Sequence, residues 1–167
     1  MVSGPIIFRI GRANPGVSEL LRKVPIFRDL NDRELKTLET IVHLRTYKAE
    51  ETVFVESEPG VGMYVINSGG VDILLNHDSD EPLYLAQLEP GDFFGEMALL
   101  GEGLRSATAR TRKKSELIGF FHPDLVEIMN LHPIMGAKIT PGLSKTLAER
   151  LRFTNSQLRD IWAINPR

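Results

Sequence analysis

The chain has 167 residues, 42% of them hydrophobic and 25% charged, which is the size and balance of one globular domain that needs no disulfide or metal staple. Lys+Arg number 20 and Asp+Glu 22, for a net charge of −2, which excludes a protein whose whole surface serves nucleic acid or anionic lipid. With no cysteine, disulfides, thiolate catalysis and Cys-ligated metal centres are excluded as well.

The opening stretch to Gly16 is punctuated by Gly4, Pro5, Gly11 and Pro15 and reads as an irregular arm. It has neither the cationic lead-in nor the small-residue cleavage site of a signal peptide. No apolar run approaches the ~20 residues of a membrane span, so a cytoplasmic protein with no membrane partner is expected. Ser18 is placed to cap a short helix to Val24, stopped by Pro25. A second helix is predicted from Asn31 or Asp32, because Leu35, Leu38, Ile41 and Val42 recur at spacings of three and four.

From about Leu44 the period changes. Short apolar runs occupy Thr52–Val55, Met63–Ile66, Val71–Leu75 and Leu83–Ala86. Between them lie the turn signals Glu58-Pro-Gly60, Ser68-Gly-Gly70, His77-Asp-Ser-Asp80 and Glu89-Pro-Gly91. Two further strands are predicted between Leu104 and Phe121, joined by a polar turn near Arg112-Lys-Lys114. Strands this short and this closely spaced make an antiparallel sandwich or barrel. The helical period returns at His122-Pro123, in a segment carrying Leu125, Val126, Ile128 and Met129 that ends near His132-Pro133. The final helix carries Leu147, Leu151, Thr154, Leu158, Ile161 and Asn165 at spacings of 4, 3, 4, 3 and 4, a heptad seam suited to pairing with a second copy. Pro141 is expected either to kink this helix or to mark its true start. The domain map is an arm with helices (1–43), a β-region (44–121) and C-terminal helices (122–167).

Pro90 through Ala109 does not read as simple strand. Phe93 and Phe94 end a β-type run, Gly95 allows a tight turn, and Glu96-Met-Ala-Leu-Leu100 is long enough for a turn and a half of helix. Arg105 then opens the next strand. A helix start after glycine presents unpaired N–H groups and a positive dipole end, which together favour phosphate. Arg105, nine residues after Glu96, adds a full charge with a fork suited to phosphate oxygens. Glu96 is an acceptor, and its natural donor beside a nucleotide phosphate is a ribose hydroxyl. The alternative is a hairpin corner in which Glu96 and Arg105 pair with each other.

Phe94-Gly-Glu-Met-Ala-Leu-Leu100 followed by Arg105-Ser-Ala-Thr-Ala109 resembles the phosphate-binding cassette (about 93–109) of the cyclic-nucleotide-binding domain family. The resemblance extends from Val24-Pro-Ile-Phe27 to the last helix and includes Gly69-Gly-Val71 and Pro90-Gly-Asp-Phe-Phe-Gly-Glu96. It implies a mainly β fold with flanking helices: an eight-stranded antiparallel β-roll (jelly roll), N-terminal helices, and C-terminal hinge and dimer helices. It also implies that Glu96 takes the ribose 2′-hydroxyl and Arg105 the cyclic phosphate, with backbone N–H groups at Gly95, Glu96, Met97, Ala98 and near Ser106. Ser57 and Val61 depart from the residues usual in the turn before Met63. A hydroxyl at Ser106 is associated with guanine in some members and also occurs in bacterial cAMP receptors. Arg150-Leu-Arg-Phe-Thr-Asn155 is similar to the dimer helix of bacterial catabolite activators in the family, which implies Thr154 on the base of its own subunit and Asn155 on that of a partner. On this footing cAMP is preferred to cGMP. Trp162, about two turns beyond Thr154, is expected to pack at the dimer end, the alternative being that it caps a base.

Enzymatic readings find no support. His43, His77, His122 and His132 are scattered without metal-ligand spacing, and no P-loop or nucleophile motif occurs. The expectation is no catalytic residue, no metal and no cofactor. The basic run Arg110-Thr-Arg-Lys-Lys114 reads as a solvated hairpin turn, not a nucleic-acid site. A homodimer through the last helix is expected, with the output carried by an effector partner or by another part of the gene product. The alternatives are a ligand-free dimerisation module and the sensor piece of a transcription factor or channel.

Overall fold

The computed structural model describes Phe8–Arg9 and residues 16–164. The expected arm before Gly16, apart from the strand β1 (Phe8–Arg9), and the seam residue Asn165 lie outside the described residues. The helices α1 (Val17–Lys23) and α2 (Asp32–Ile41) flank a 3₁₀ turn at Pro25–Phe27. Asn31 caps α2 by a reciprocal capping box: its side chain accepts from Glu34 N at 2.9 Å and its own N–H donates to Glu34 Oε2 at 2.7 Å. Ser18 does not cap α1. Gly16 stands at that cap, and Ser18 lies inside the helix, donating its hydroxyl to Glu39 of α2 at 2.5 Å. The serine thus ties two helices together.

Eight strands follow: β2 (His43–Tyr47), β3 (Thr52–Phe54), β4 (Gly62–Ser68), β5 (Val71–Leu75), β6 (Leu83–Leu88), β7 (Phe93–Phe94), β8 (Thr108–Thr111) and β9 (Ser115–Phe121). All pairings are antiparallel, in a sheet ordered β1-β2-β9-β4-β7 and a second ordered β3-β8-β5-β6. This is the β-roll that the resemblance implied. The helices α3 (His122–Leu131) and α4 (Pro133–Ile164) complete the described residues. No helix among the described residues is long and apolar enough to cross a membrane.

The central strands β4 and β9 of the five-stranded sheet are buried on both faces, and strand alternation divides their side chains between two cores. Met63, Val65, Ile118 and Phe120 join the helices, where Phe27 meets Phe120 edge to face at 5.4 Å. Tyr64, Ile66, Leu117 and Phe121 point between the sheets, with Tyr47, Val71, Phe94 and Ala109. Strand β2 is polar (His-Leu-Arg-Thr-Tyr) and has no apolar run of its own. Its pairing with β9, from His43 opposite Gly119 to Tyr47 opposite Ser115, makes it a strand.

Pro141 is not the start of the last helix. Helix α4 begins at Pro133 and continues through Pro141 as one element. Its first half is held by packing that outweighs the missing backbone hydrogen bond: Met135, Ile139 and Leu143 are buried in the helical core. At Gly142 a Cβ would lie 2.6 Å from the Ile26 carbonyl oxygen, so glycine permits the close approach of α4 to the 3₁₀ turn. Lys138 of the same helix reaches Glu34 of α2 at 2.7 Å.

Candidate functional site

The turn after β7 is built by Gly95, which caps a five-residue 3₁₀ helix, Glu96–Leu100, with φ at +78° in the left-handed region that favours glycine. The segment expected as a turn and a half of helix is therefore wound more tightly. The Ala98 N–H closes it onto the Gly95 carbonyl at 3.2 Å, so the donors without an intrahelical carbonyl at this end are those of Glu96 and Met97. Arg105 does not open the next strand. β8 begins at Thr108, and Arg105 sits in the loop before it. That loop is clamped by the turn after β3: Ser57 N donates to Arg105 O and Arg105 N donates to Glu58 O, both at 2.8 Å. Ser57 reaches this pairing at a φ of +67°, the left-handed conformation for which glycine is the easier choice.

Both charged side chains are buried, Glu96 at 2% exposure and Arg105 at 7%, and both line one cavity of about 440 Å³. They do not pair with each other, which rules against the hairpin-corner alternative. Glu96 Oε1 pairs with Arg150 Nη1 of α4 at 3.0 Å, and its other oxygen has no hydrogen-bond partner. Arg150 is anchored further by donation to the Phe93 carbonyl at 3.1 Å and lies 4.9 Å from the Phe93 ring centroid. Arg105 has no carboxylate partner among the described ion pairs. Its Nη1 donates to the Gly95 carbonyl at 3.3 Å, and its Nε is buried without a partner. Burial pulls its pKa down, opposed by the nearby Tyr64 and Glu96, and the guanidinium stays cationic.

Gly95, Glu96, Met97, Ala98, Arg105 and Ser106 all line this cavity. Thr154 and Asn155 do not. They lie exposed on α4 past the point where Arg150 touches the cavity, and the Thr154 hydroxyl donates back to the Arg150 carbonyl at 3.0 Å. Along the expected seam Leu151, Leu158 and Ile161 are at least half-exposed (61%, 50% and 56%), and Trp162 is 75% exposed.

Sequence reasoning missed Arg150 and Phe54. Arg150 lies one turn before Thr154, and a buried Glu96 needs a cation beyond Arg105, so a signal existed. Phe54 carries none, since a phenylalanine in a strand reads as core. A further link is equally invisible in the sequence: His122, at the start of α3, donates through Nδ1 to the Leu99 carbonyl at 2.8 Å, joining the cassette turn to the helices after it.

The family model described as cyclic nucleotide-binding domain matches residues 44–132. The chain is 31% identical over 134 residues to the cyclic AMP receptor protein of Thermus thermophilus, covering 80% of this chain and 60% of that protein. The crystal structure of the Thermus thermophilus catabolite activator protein superposes with a TM-score of 0.72 at 31% identity, over 82% of this chain and 62% of that one. The N-terminal domain of a transcriptional regulator from Streptomyces coelicolor gives a TM-score of 0.69 at 29% identity, over 83% and 94%. The chain spans 55–63% of the length of curated relatives of this kind.

Proposed function

Because this chain belongs to the cyclic nucleotide-binding domain family, we propose that the cavity takes a 3′,5′-cyclic nucleotide, cAMP in preference to cGMP, as a regulatory ligand. One observation carries this reading: two buried, oppositely charged side chains, Glu96 and Arg105, face the same cavity without neutralising each other. Arg105 and the Glu96 and Met97 N–H groups supply donors for the phosphate. The partnerless Glu96 oxygen supplies an acceptor for the ribose 2′-hydroxyl. Ile73, Ala86, Leu88 and Met97 offer an apolar wall to the base, beside Ser106.

The preference for cAMP rests on Thr154 and Asn155, which would meet the base when two copies pair along α4. The exposed Leu151, Leu158 and Ile161 support such a homodimer. Glu96 would then be shared between the ribose and Arg150, so that ligand in the cavity changes the free energy of one α4 position relative to another. The chain acts in this reading as a binding module, and its effector lies outside the described residues. Titration calorimetry with cAMP and cGMP tests it. Micromolar cAMP binding, about −8 kcal/mol, with weaker cGMP is expected, and no heat at millimolar nucleotide would remove the reading.

A second reading, the sensor portion of a longer transcriptional regulator, is favoured by the 94% coverage of the Streptomyces N-terminal domain. A coding sequence that continues past codon 167 into a helix-turn-helix would establish it, and a stop codon there would remove it.

A further inference from the structure

Arg105 has almost no exposed surface and no counter-ion among the described residues, yet it has a flat apolar neighbour. Its guanidinium carbon sits 3.8 Å from the centroid of the Phe54 ring. On the backbone side, a Cβ on Gly95 would come within 2.7 Å of Arg105 Nη1. The fork is therefore held in a slot between an aromatic face and a backbone turn. Phe54 is itself held, with ring centroids 5.8 Å from Phe94 and 6.2 Å from Tyr64, which stack on each other at 5.6 Å.

We infer that Phe54 is a positioning residue for the phosphate-binding arginine, orienting the guanidinium without neutralising it. This inference rests on the cyclic-nucleotide reading of the cavity. The physical case turns on which part of the guanidinium each neighbour uses. A carboxylate partner occupies the N–H edge and cancels the charge, leaving little of either for a phosphate. An aromatic face attracts the cation through its quadrupole and contacts only the plane. Apart from the Nη1 donation to the Gly95 carbonyl, the edge donors are not taken up by a carboxylate, the buried Nε has no partner at all, and the net charge is intact. An aliphatic side chain of similar volume would fill the space but supply no such attraction.

The test is cAMP affinity by calorimetry for the wild type and for Phe54→Leu, Phe54→Met and Phe54→Tyr, with Phe54→Leu repeated on an Arg105→Lys background. The aliphatic variants are expected to bind about tenfold more weakly, and Phe54→Tyr within about twofold of the wild type. With lysine at 105, which has no plane to lay on the ring, Phe54→Leu should cost less than about twofold. Thermal midpoints should stay within a few degrees of their parents. Wild-type affinity in Phe54→Leu, or an equal loss on both backgrounds, would reduce the ring to packing and overturn the inference. Failure of both aliphatic variants to fold would assign the ring to the core and overturn it likewise. If the wild type binds no cyclic nucleotide, the underlying reading fails and the positioning role falls with it.

Discussion

Two arginines flank β8, and the fold treats them in opposite ways. Arg112, just after the strand, reaches Asp72 at 2.8 Å, pairs with Glu89 and donates to the Leu88 carbonyl at 3.2 Å. Arg105, three residues before the strand, has an aromatic ring against it and a carbonyl at 3.3 Å but no carboxylate partner. A partly buried arginine that is fully partnered serves the fold, because its charge already satisfies groups that would otherwise be costly to bury. A more deeply buried one left without a counter-ion carries an uncompensated desolvation cost, and burial lowers its pKa accordingly. Such a cost is tolerated where a ligand later supplies the anion. The basic run expected as a solvated turn is thereby corrected at Arg112, which stitches β8 to β5 and β6.

The contrast breaks first at Arg105→Leu. Cyclic-nucleotide affinity should fall by about 2–5 kcal/mol, read by calorimetry, while urea unfolding shows stability unchanged or raised, since a lone buried charge is removed. Retained affinity would sink the assignment of the phosphate to this residue. Arg112→Leu should do the reverse: a stability loss of about 3 kcal/mol in the same denaturation assay, with affinity close to wild type. A matching drop in affinity would mean that the two arginines are not separable roles.

Arg150 sharpens the comparison, being half-exposed yet the partner of the most buried acid in the cavity. Arg150→Ala should cost about 1–2 kcal/mol of stability at neutral pH, by stranding the Glu96 carboxylate. That cost should shrink when cyclic nucleotide is present, because the ribose hydroxyl then donates to the other oxygen of the same carboxylate and offsets part of its lost pairing; a thermal-shift comparison with and without ligand reads this directly. The smallest effect belongs to Lys138→Met. Partial desolvation would raise the Glu34 pKa, but the hydrogen bonds from Lys138 and the Asn31 N–H outweigh it and hold the carboxyl below its ordinary value. A lowered folded-state pKa contributes stability at neutral pH that is lost as the pH falls through the ordinary carboxylate range toward the folded value. The variant should therefore lose about 0.5–1 kcal/mol at pH 7 and show a shallower decline in stability on the acid side.

Much of the fold was legible in the sequence because β4, β5 and β9 carry their own apolar signals and the spacing of Leu35, Leu38 and Ile41 marks the buried face of α2. Strand β2 was not, since His43 to Tyr47 become a strand only by hydrogen bonding to β9. Pro141 left open whether α4 starts there or only bends, because proline is a local signal, while the burial of Met135, Ile139 and Leu143 that carries the helix through it is not. At the site, Glu96 and Arg105 were visible through the cassette pattern, yet the hairpin-corner pairing of the two was equally consistent with their spacing.

What the sequence determined by itself was the order of elements, the cassette and the two charges in it, because hydrophobic period, turn residues and motif spacing are all properties of neighbouring residues. Only the tertiary structure decided how those charges are used. Glu96 meets an arginine 54 positions further along the chain, and Arg105 rests on a ring 51 positions before it. Electrostatics and burial act through space, so which charge is partnered and which is left open depends on contacts that chain distance does not encode.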